Sequence, residues 1–172
     1  SGRDIETIYE VPVMFEEQNL VSLLASRLKF TPHKDLTEWK RLISNIKAPK
    51  YRAKVAICGK YTALNDSYAS LIEALRHAGA NLNCGVDITF VETTDFEEGK
   101  ITVDSALHNM DSIVVPIGFG ASGVEGKISA IRYAREKNVP FLGLCLGLQL
   151  AVVEFARNVC GLKDANSTEV NP

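Results

Sequence analysis

An excess of positive charge is missing from this chain. Its 172 residues carry 19 Lys and Arg against 21 Asp and Glu, a net charge of −2. Nothing supplies the basic surface that a phosphate backbone requires, and no nucleic-acid partner is expected. Long apolar runs are missing as well. The longest, Val139 to Ala156, is interrupted by Pro140, Gly143, Gly147, Gln149 and Glu154. A spanning helix needs about 20 nearly uninterrupted apolar residues, so no membrane association is expected. The polar start Ser1-Gly2-Arg3-Asp4 lacks an apolar signal core. Because the chain does not open with Met, it is expected to be a piece of something longer. Cys58, Cys84, Cys145 and Cys160 lie far apart, as do His33, His77 and His108, and no metal-ligand spacing results. Cys58, in a strand pattern, and Cys160, closing an apolar helix, are expected to be buried and inert, and a reducing, cytoplasmic setting is expected. Repeats and low-complexity tracts are absent, and 46% hydrophobic with 23% charged residues excludes wholesale disorder.

What is present is hydrophobic periodicity. Residues 5–15 predict an extended segment broken by Pro12. Residues 16–30 predict a helix with Leu20, Val21, Leu24 and Leu28 on one stripe, closed at Thr31-Pro32. A second helix follows Asp35, with Leu36, Trp39, Leu42, Ile43 and Ile46 at helical spacing and Asp35 and Glu38 in a capping arrangement. Ala48-Pro49-Lys50 reads as a linker. This first stretch carries apolar surface without a partner sheet, and is expected to pack on something outside the chain. From Arg52 short apolar strands alternate with helices. Strands are predicted at Lys54–Gly59, Val86–Val91, Asp111–Pro116 and Pro140–Leu144. Helices are predicted at Asp66–Ala80 with Gly79 as the stop, Asp104–Asn109, Gly123–Lys137 and Gly147–Val159. The fold class is therefore α/β, a mainly parallel sheet flanked by helices and preceded by a helical linker segment. In such sheets, function gathers at the carboxyl ends of the strands.

Gly143-Leu144-Cys145-Leu146-Gly147 is a G-x-C-x-G between a strand and a helix, the thiol counterpart of the G-x-S-x-G nucleophile elbow. The sharp turn exposes the nucleophile, and the flanking glycines admit close backbone approach. The helix N-terminus favours thiolate, and the Leu146 N–H would face a developing oxyanion. The alternative is a buried cysteine in a glycine-rich turn. Pro116-Ile117-Gly118-Phe119-Gly120-Ala121-Ser122-Gly123 also joins a strand to a helix. It admits three readings: a dinucleotide fingerprint without its acidic residue, a plain turn, or a loop facing the elbow with the Gly118 N–H as second oxyanion donor. Gln149, one helical turn past Cys145, either faces the same pocket or satisfies a backbone group. Glu169 alone reads as solvated surface.

Phe141-Leu142-Gly143-Leu144-Cys145-Leu146-Gly147-Leu148-Gln149 resembles the nucleophile segment of class I, triad-type glutamine amidotransferases. Gly59-Lys60-Tyr61 with the stretch Asp66 to Leu75, Gly123-Val124-Glu125-Gly126-Lys127, and Asp164-Ala165-Asn166-Ser167-Thr168-Glu169 are similar to the CTP synthase family within it. Thr7-Ile8-Tyr9-Glu10-Val11-Pro12 resembles the end of that family's synthetase (amidoligase) domain. The resemblance implies a synthetase tail at 1–30, an interdomain linker at 31–50 and an incomplete glutaminase domain at 51–172. It implies ATP-dependent amination of UTP to CTP with ammonia from glutamine. Cys145 would be the nucleophile, Gly118 and Leu146 the oxyanion hole, and Gly118, Leu146, Gly147, Leu148, Gln149 and Glu169 the glutamine site, with Glu169 on the substrate amino group. No cofactor is implied for this segment; the parent would use ATP and Mg²⁺, with GTP as activator, and would be a homotetramer. Ile117 stands where the family usually has Gly, and Ser122 where it usually has Arg. The family's catalytic His and Glu would lie beyond residue 172. Two rivals remain at this point, a catalytically silent docking module of the same fold and a nucleotide-binding Rossmann domain.

Overall fold

A computed structural model describes residues 4–32, 35–60, 62, 65–118 and 122–171. The chain divides into two compact units, one of Ser1–Tyr51 and Arg76–Gly85, the other of Arg52–Leu75 and Val86–Pro172.

In the first unit the N-terminal segment is helical where an extended segment broken by Pro12 was expected. A 3-10 turn at Ile8–Glu10 leads into α1 (Val11–Glu17). Pro12 does not break it, because the missing proline N–H falls among the first-turn donors that have no helical acceptor anyway. The single helix expected over 16–30 is interrupted at Asn19, whose left-handed backbone (φ 56°) separates α1 from α2 (Leu20–Leu28). Of α2 only Ala25 is buried; Leu23, Leu24 and Leu28 are exposed. Helix α3 (Thr37–Lys47) begins one residue after its cap Leu36. Asp35 accepts from the Thr37 N–H at 2.9 Å, but Glu38 pairs with Arg41 instead of reaching back, so the expected capping box does not form. Trp39 Nε1 donates to the Tyr9 carbonyl at 2.6 Å, and the Tyr9 ring meets the His77 ring edge-on. Gly79, expected to stop a helix, lies buried inside α4 (Ala69–Asn81). The left-handed turn comes four residues later, at Asn83 (φ 53°), whose carbonyl accepts from the N–H groups of Lys50 and Tyr51.

The second unit holds the sheet. Its strands β1 (Tyr51–Gly59), β2 (Cys84–Glu92), β3 (Ser112–Val115) and β4 (Phe141–Gly143) lie in the order β2-β1-β3-β4. β1 and β2 each extend by one or two residues into the first unit. β1 runs parallel to β3 with Ile57 opposite Val114, and β3 parallel to β4 with Val115 opposite Gly143. The period-2 geometry of a strand sends alternate residues of β1 to opposite faces. Ala56 and Cys58 join one core with Ile113, Val115, Leu146 and Leu150; Val55 and Ile57 join another with Tyr68 and Val114. Both faces are thus covered, as a parallel sheet requires.

Besides a 3-10 turn at Asn65–Tyr68 and the first half of α4, the described residues of this unit form α5 (Thr94–Glu97), which sequence periodicity did not show, α6 (Val103–Leu107), α7 (Val124–Lys137) and α8 (Leu146–Asn158). α7 and α8 are tied by Arg135, which clasps the buried Glu154 with contacts of 2.8–3.2 Å. Cys160, expected to be buried, is exposed just past the end of α8.

Cys58 is fully buried, and burial pushes its thiol up from 9.0 to about 12. The unfolded thiol ionises near 9 while the folded one stays neutral, so the unfolded state binds fewer protons and stability falls as pH rises from 9 towards 12. Tyr68, also raised by burial, adds to the loss at the upper end. Replacing Cys58 with Ala should flatten the fall in urea midpoint across that window; an unchanged slope would refute the assignment.

Candidate active site

The Leu144 N–H donates to the Val115 carbonyl at 2.9 Å, prolonging the β3–β4 pairing by one residue. The chain then reverses at Cys145, with φ 52° and ψ −108°. That conformation is strained for any residue with a Cβ and costs on the order of 1–3 kcal/mol. It leaves the thiol exposed at the first turn of α8, where the N–H groups of Leu148 and Gln149 fold back onto the Cys145 carbonyl at 3.0 and 3.2 Å. The two glycines of the motif have distinct duties. A Cβ on Gly143 would sit 2.7 Å from the Gly147 carbonyl group, and a Cβ on Gly147 would sit 2.0 Å from the Val115 oxygen. Only glycine lets α8 start this close to the sheet. Leu146 is buried and Leu148 exposed.

The segment after β3 faces this elbow. Pro116 is buried, Ile117 is 52% exposed and Gly118 is half-buried. A Cβ on Gly118 would lie 2.4 Å from the Lys127 Nζ and 3.7 Å from a Leu146 methyl. Gly118 and Leu146, the two expected oxyanion donors, are therefore neighbours. Lys127 is a residue that the motif contained but that the sequence reading gave no role. Its signal was spacing: Val124, Lys127, Ile128 and Ile131 fall on one helical face, and all four are buried. Burial, and then the charge of Lys60, hold its ammonium below the ordinary lysine range, with Glu92 opposing.

The start of α7 argues against the dinucleotide reading. Pyrophosphate would need the free N–H groups of a helix N-terminus. Here the Gly123 and Gly126 N–H groups donate to the two carboxylate oxygens of Glu97 at 3.0 and 3.1 Å. A carboxylate already holds the position that a phosphate would need. Gly120, the middle glycine of the fingerprint, lies outside the described residues.

Gln149 and Glu169 are brought together directly. Gln149 Nε2 donates to Glu169 Oε1 at 2.9 Å, and the Ser167 hydroxyl donates to Gln149 Oε1 at 2.6 Å. Gln149 thus meets a side-chain partner across the polar loop, not a backbone group. That loop is fastened by Arg157, which donates to the Ala165 carbonyl at 2.6 Å and to Glu125 at 2.9 and 3.0 Å. Within the sheet-bearing unit, the one described histidine, His108, does not join the group. His33 is outside the described residues, and the His77 Nε2 is engaged by the Tyr9 hydroxyl. His108 caps the end of α6 before β3 begins, and so lies at the amino end of the strands, whereas Cys145 follows the carboxyl end of β4. Among the described residues no group of three His, Cys, Asp or Glu side chains could hold a metal, and no helix is long and apolar enough to cross a membrane.

The sequence profile described as glutamine amidotransferase class-I matches residues 63–171. The chain belongs to the class I glutamine amidotransferases. Within that family it is 49% identical to a CTP synthase of Saccharolobus solfataricus over 175 aligned positions, and 50% identical to a CTP synthase of Sulfurisphaera tokodaii over 173. Each match takes in 100% of this chain and 33% or 32% of the relative, so the chain spans about a third of their length. Its fold is similar to a solved structure titled as the glutaminase domain of Trypanosoma brucei CTPS with bound acivicin. That match has a TM-score of 0.62 and 38% identity, over 69% of this chain and 46% of that one. The parallel four-stranded sheet is that of a class I amidotransferase.

Two outcomes test the elbow of this amidotransferase. Limiting iodoacetamide should label Cys145 ahead of Cys160, Cys84 and Cys58 in peptide maps, because only Cys145 combines exposure with a helix N-terminus; Cys160 labelling first would count against it. Cys145→Gly should melt about 2–4 °C above Cys145→Ala, since glycine releases about 1 kcal/mol of backbone strain. Equal melting temperatures would mean that the turn is unstrained.

Proposed function

We propose that this chain is the nucleophile-bearing part of the glutaminase of a cytoplasmic CTP synthase. The parent would aminate UTP to CTP at the expense of ATP, with ammonia released here from glutamine. The observation that carries the reading is the exposed Cys145 on a left-handed elbow at the head of α8, with Gln149 and Glu169 joined one turn away. The thiolate attacks the glutamine carboxamide carbon, and the Leu146 and Gly118 N–H groups receive the charge that develops on oxygen. Ammonia departs with a proton from a general acid, leaving a glutamyl thioester. Water then cleaves the thioester to glutamate and returns the thiol. Glu169 receives the substrate amino group, and the polar loop clamped by Arg157 presents it. ATP, Mg²⁺ and GTP belong to other parts of the parent; the described residues offer Mg²⁺ no cluster of three His, Cys, Asp or Glu ligands. The synthetase domain is the intramolecular partner, in a homotetrameric parent.

A silent docking module is the second reading, favoured by the exposed Ile117, which stands where the family usually has glycine. Activity separates the two. His108 lies at the far end of β3 from the nucleophile, at least about 10 Å away by the rise of that strand, and a missing triad base costs on the order of 10⁴–10⁶ in rate. Residues 1–172 alone should therefore release negligible ammonia from glutamine. A longer chain supplying the family's His and Glu should recover turnover that Cys145→Ser abolishes. A longer chain that stays inert favours the silent module, and Cys145-dependent turnover by the short chain sinks the assignment of an incomplete site.

A further inference from the structure

α7 presents an apolar face to the core, and one of its members carries a charge. Lys127 is 2% exposed and sits among Val124, Ile128 and Ile131. An ammonium is expensive to remove from water, and a residue such as Met would fill the same space at less cost. The side chain extends from the first turn of α7 towards the segment after β3. Its Nζ lies 2.4 Å, and its Cε 3.8 Å, from the point that a Cβ on Gly118 would occupy; the Leu146 methyl is 3.7 Å from the same point. The side of Gly118 from which a side chain would project is thus met by both Lys127 and Leu146, the residue that follows Cys145. The charges around Lys127 are Lys60, just past β1, and Glu92, at the end of β2. Glu92 is engaged by the Thr62 N–H and hydroxyl and by the Thr94 hydroxyl.

We infer that Lys127 is a positioning residue for the oxyanion hole: its buried ammonium is the post that sets Gly118 against Leu146 and so fixes the separation of the two donor N–H groups. The inference rests on the glutaminase reading, because it assigns Lys127 a purpose in holding those donors. The helix that carries Lys127 is itself anchored. Gly123 and Gly126 donate to Glu97, and a Cβ on Gly126 would stand 2.0 Å from the Thr93 oxygen, so the base of the post cannot drift from the end of β2. A mispositioned donor weakens the interaction made with the oxyanion while leaving the groups that grip the substrate untouched.

The test is Lys127→Met in the parent protein, with Lys127→Gln measured in the same way should the Met variant fail to fold. Expected are a loss in kcat for glutamine hydrolysis of at least about 10-fold, an unchanged KM, and unchanged iodoacetamide labelling of Cys145. Amide hydrogen exchange across 116–123 should rise, with the rest of the sheet unaffected. A kcat within twofold of wild type overturns the inference, and so does a loss expressed in KM alone. Unaltered exchange at 116–123 overturns it too, whatever the activity. If the wild-type parent has no Cys145-dependent glutaminase activity, the functional reading fails by itself, and the exchange measurement still decides whether Lys127 holds Gly118.

Discussion

The carbonyl oxygen of Val115 and the α-carbon of Gly147 approach so closely that a methyl group on the latter would lie 2.0 Å from the oxygen. Two elements meet here backbone to backbone, with no side chain between them to adjust. The start of α8 is thereby fixed relative to the end of β3, and with it everything the first turn of α8 carries: the thiol of Cys145, the N–H of Leu146 and, one turn on, the amide of Gln149. Gly143 repeats the device on β4. The strained backbone of Cys145 follows from the same constraint, since a chain leaving β4 and entering a helix pressed this tightly to the sheet has no relaxed route.

α7 is held by different means. Its first turn is capped by the carboxylate of Glu97 and abuts the Thr93 carbonyl through Gly126. A carboxylate is well placed there, since it satisfies two donors that have no partner in the helix and opposes the positive end of the dipole. Farther along, the Arg135–Glu154 clasp joins α7 to α8. Both helices that border the site are thus registered to the sheet at their amino ends and to each other in their carboxyl-terminal halves.

Periodicity made the sheet and its helices legible because β3 and β4 are short apolar runs ended by Pro116 and Gly143, and β1 closes in the apolar run Val55–Cys58 before Gly59. The elbow was legible because its close packing demands glycine on both sides of Cys145. What escaped had no periodic signature. α5 is four residues long, too short for a stripe, yet it delivers Glu97. The N-terminal helix was obscured by Pro12, which at the second helical position is harmless. Gly79 looked like a stop because glycine often is one, but Asn83 served instead. Cys160 continued an apolar helix pattern past the point where the helix leaves the core. The meeting of Gln149 with Glu169 spans twenty residues of sequence, and only the resemblance placed them at one site.

Arg157 grips the Ala165 carbonyl and Glu125 together, and thereby shortens the leash on which Glu169 can swing. Without that grip the carboxylate would hang from the end of α8 on a tether of eleven residues, counted from Asn158 to Glu169. With it the tether is four residues, about 14 Å even when fully drawn out. The volume a tethered group explores shrinks steeply as the tether shortens, so the local concentration of carboxylate around Gln149 rises accordingly. One guanidinium on the last turn of a helix thus does the work of a much shorter loop, while the chain keeps the residues that a longer loop can carry.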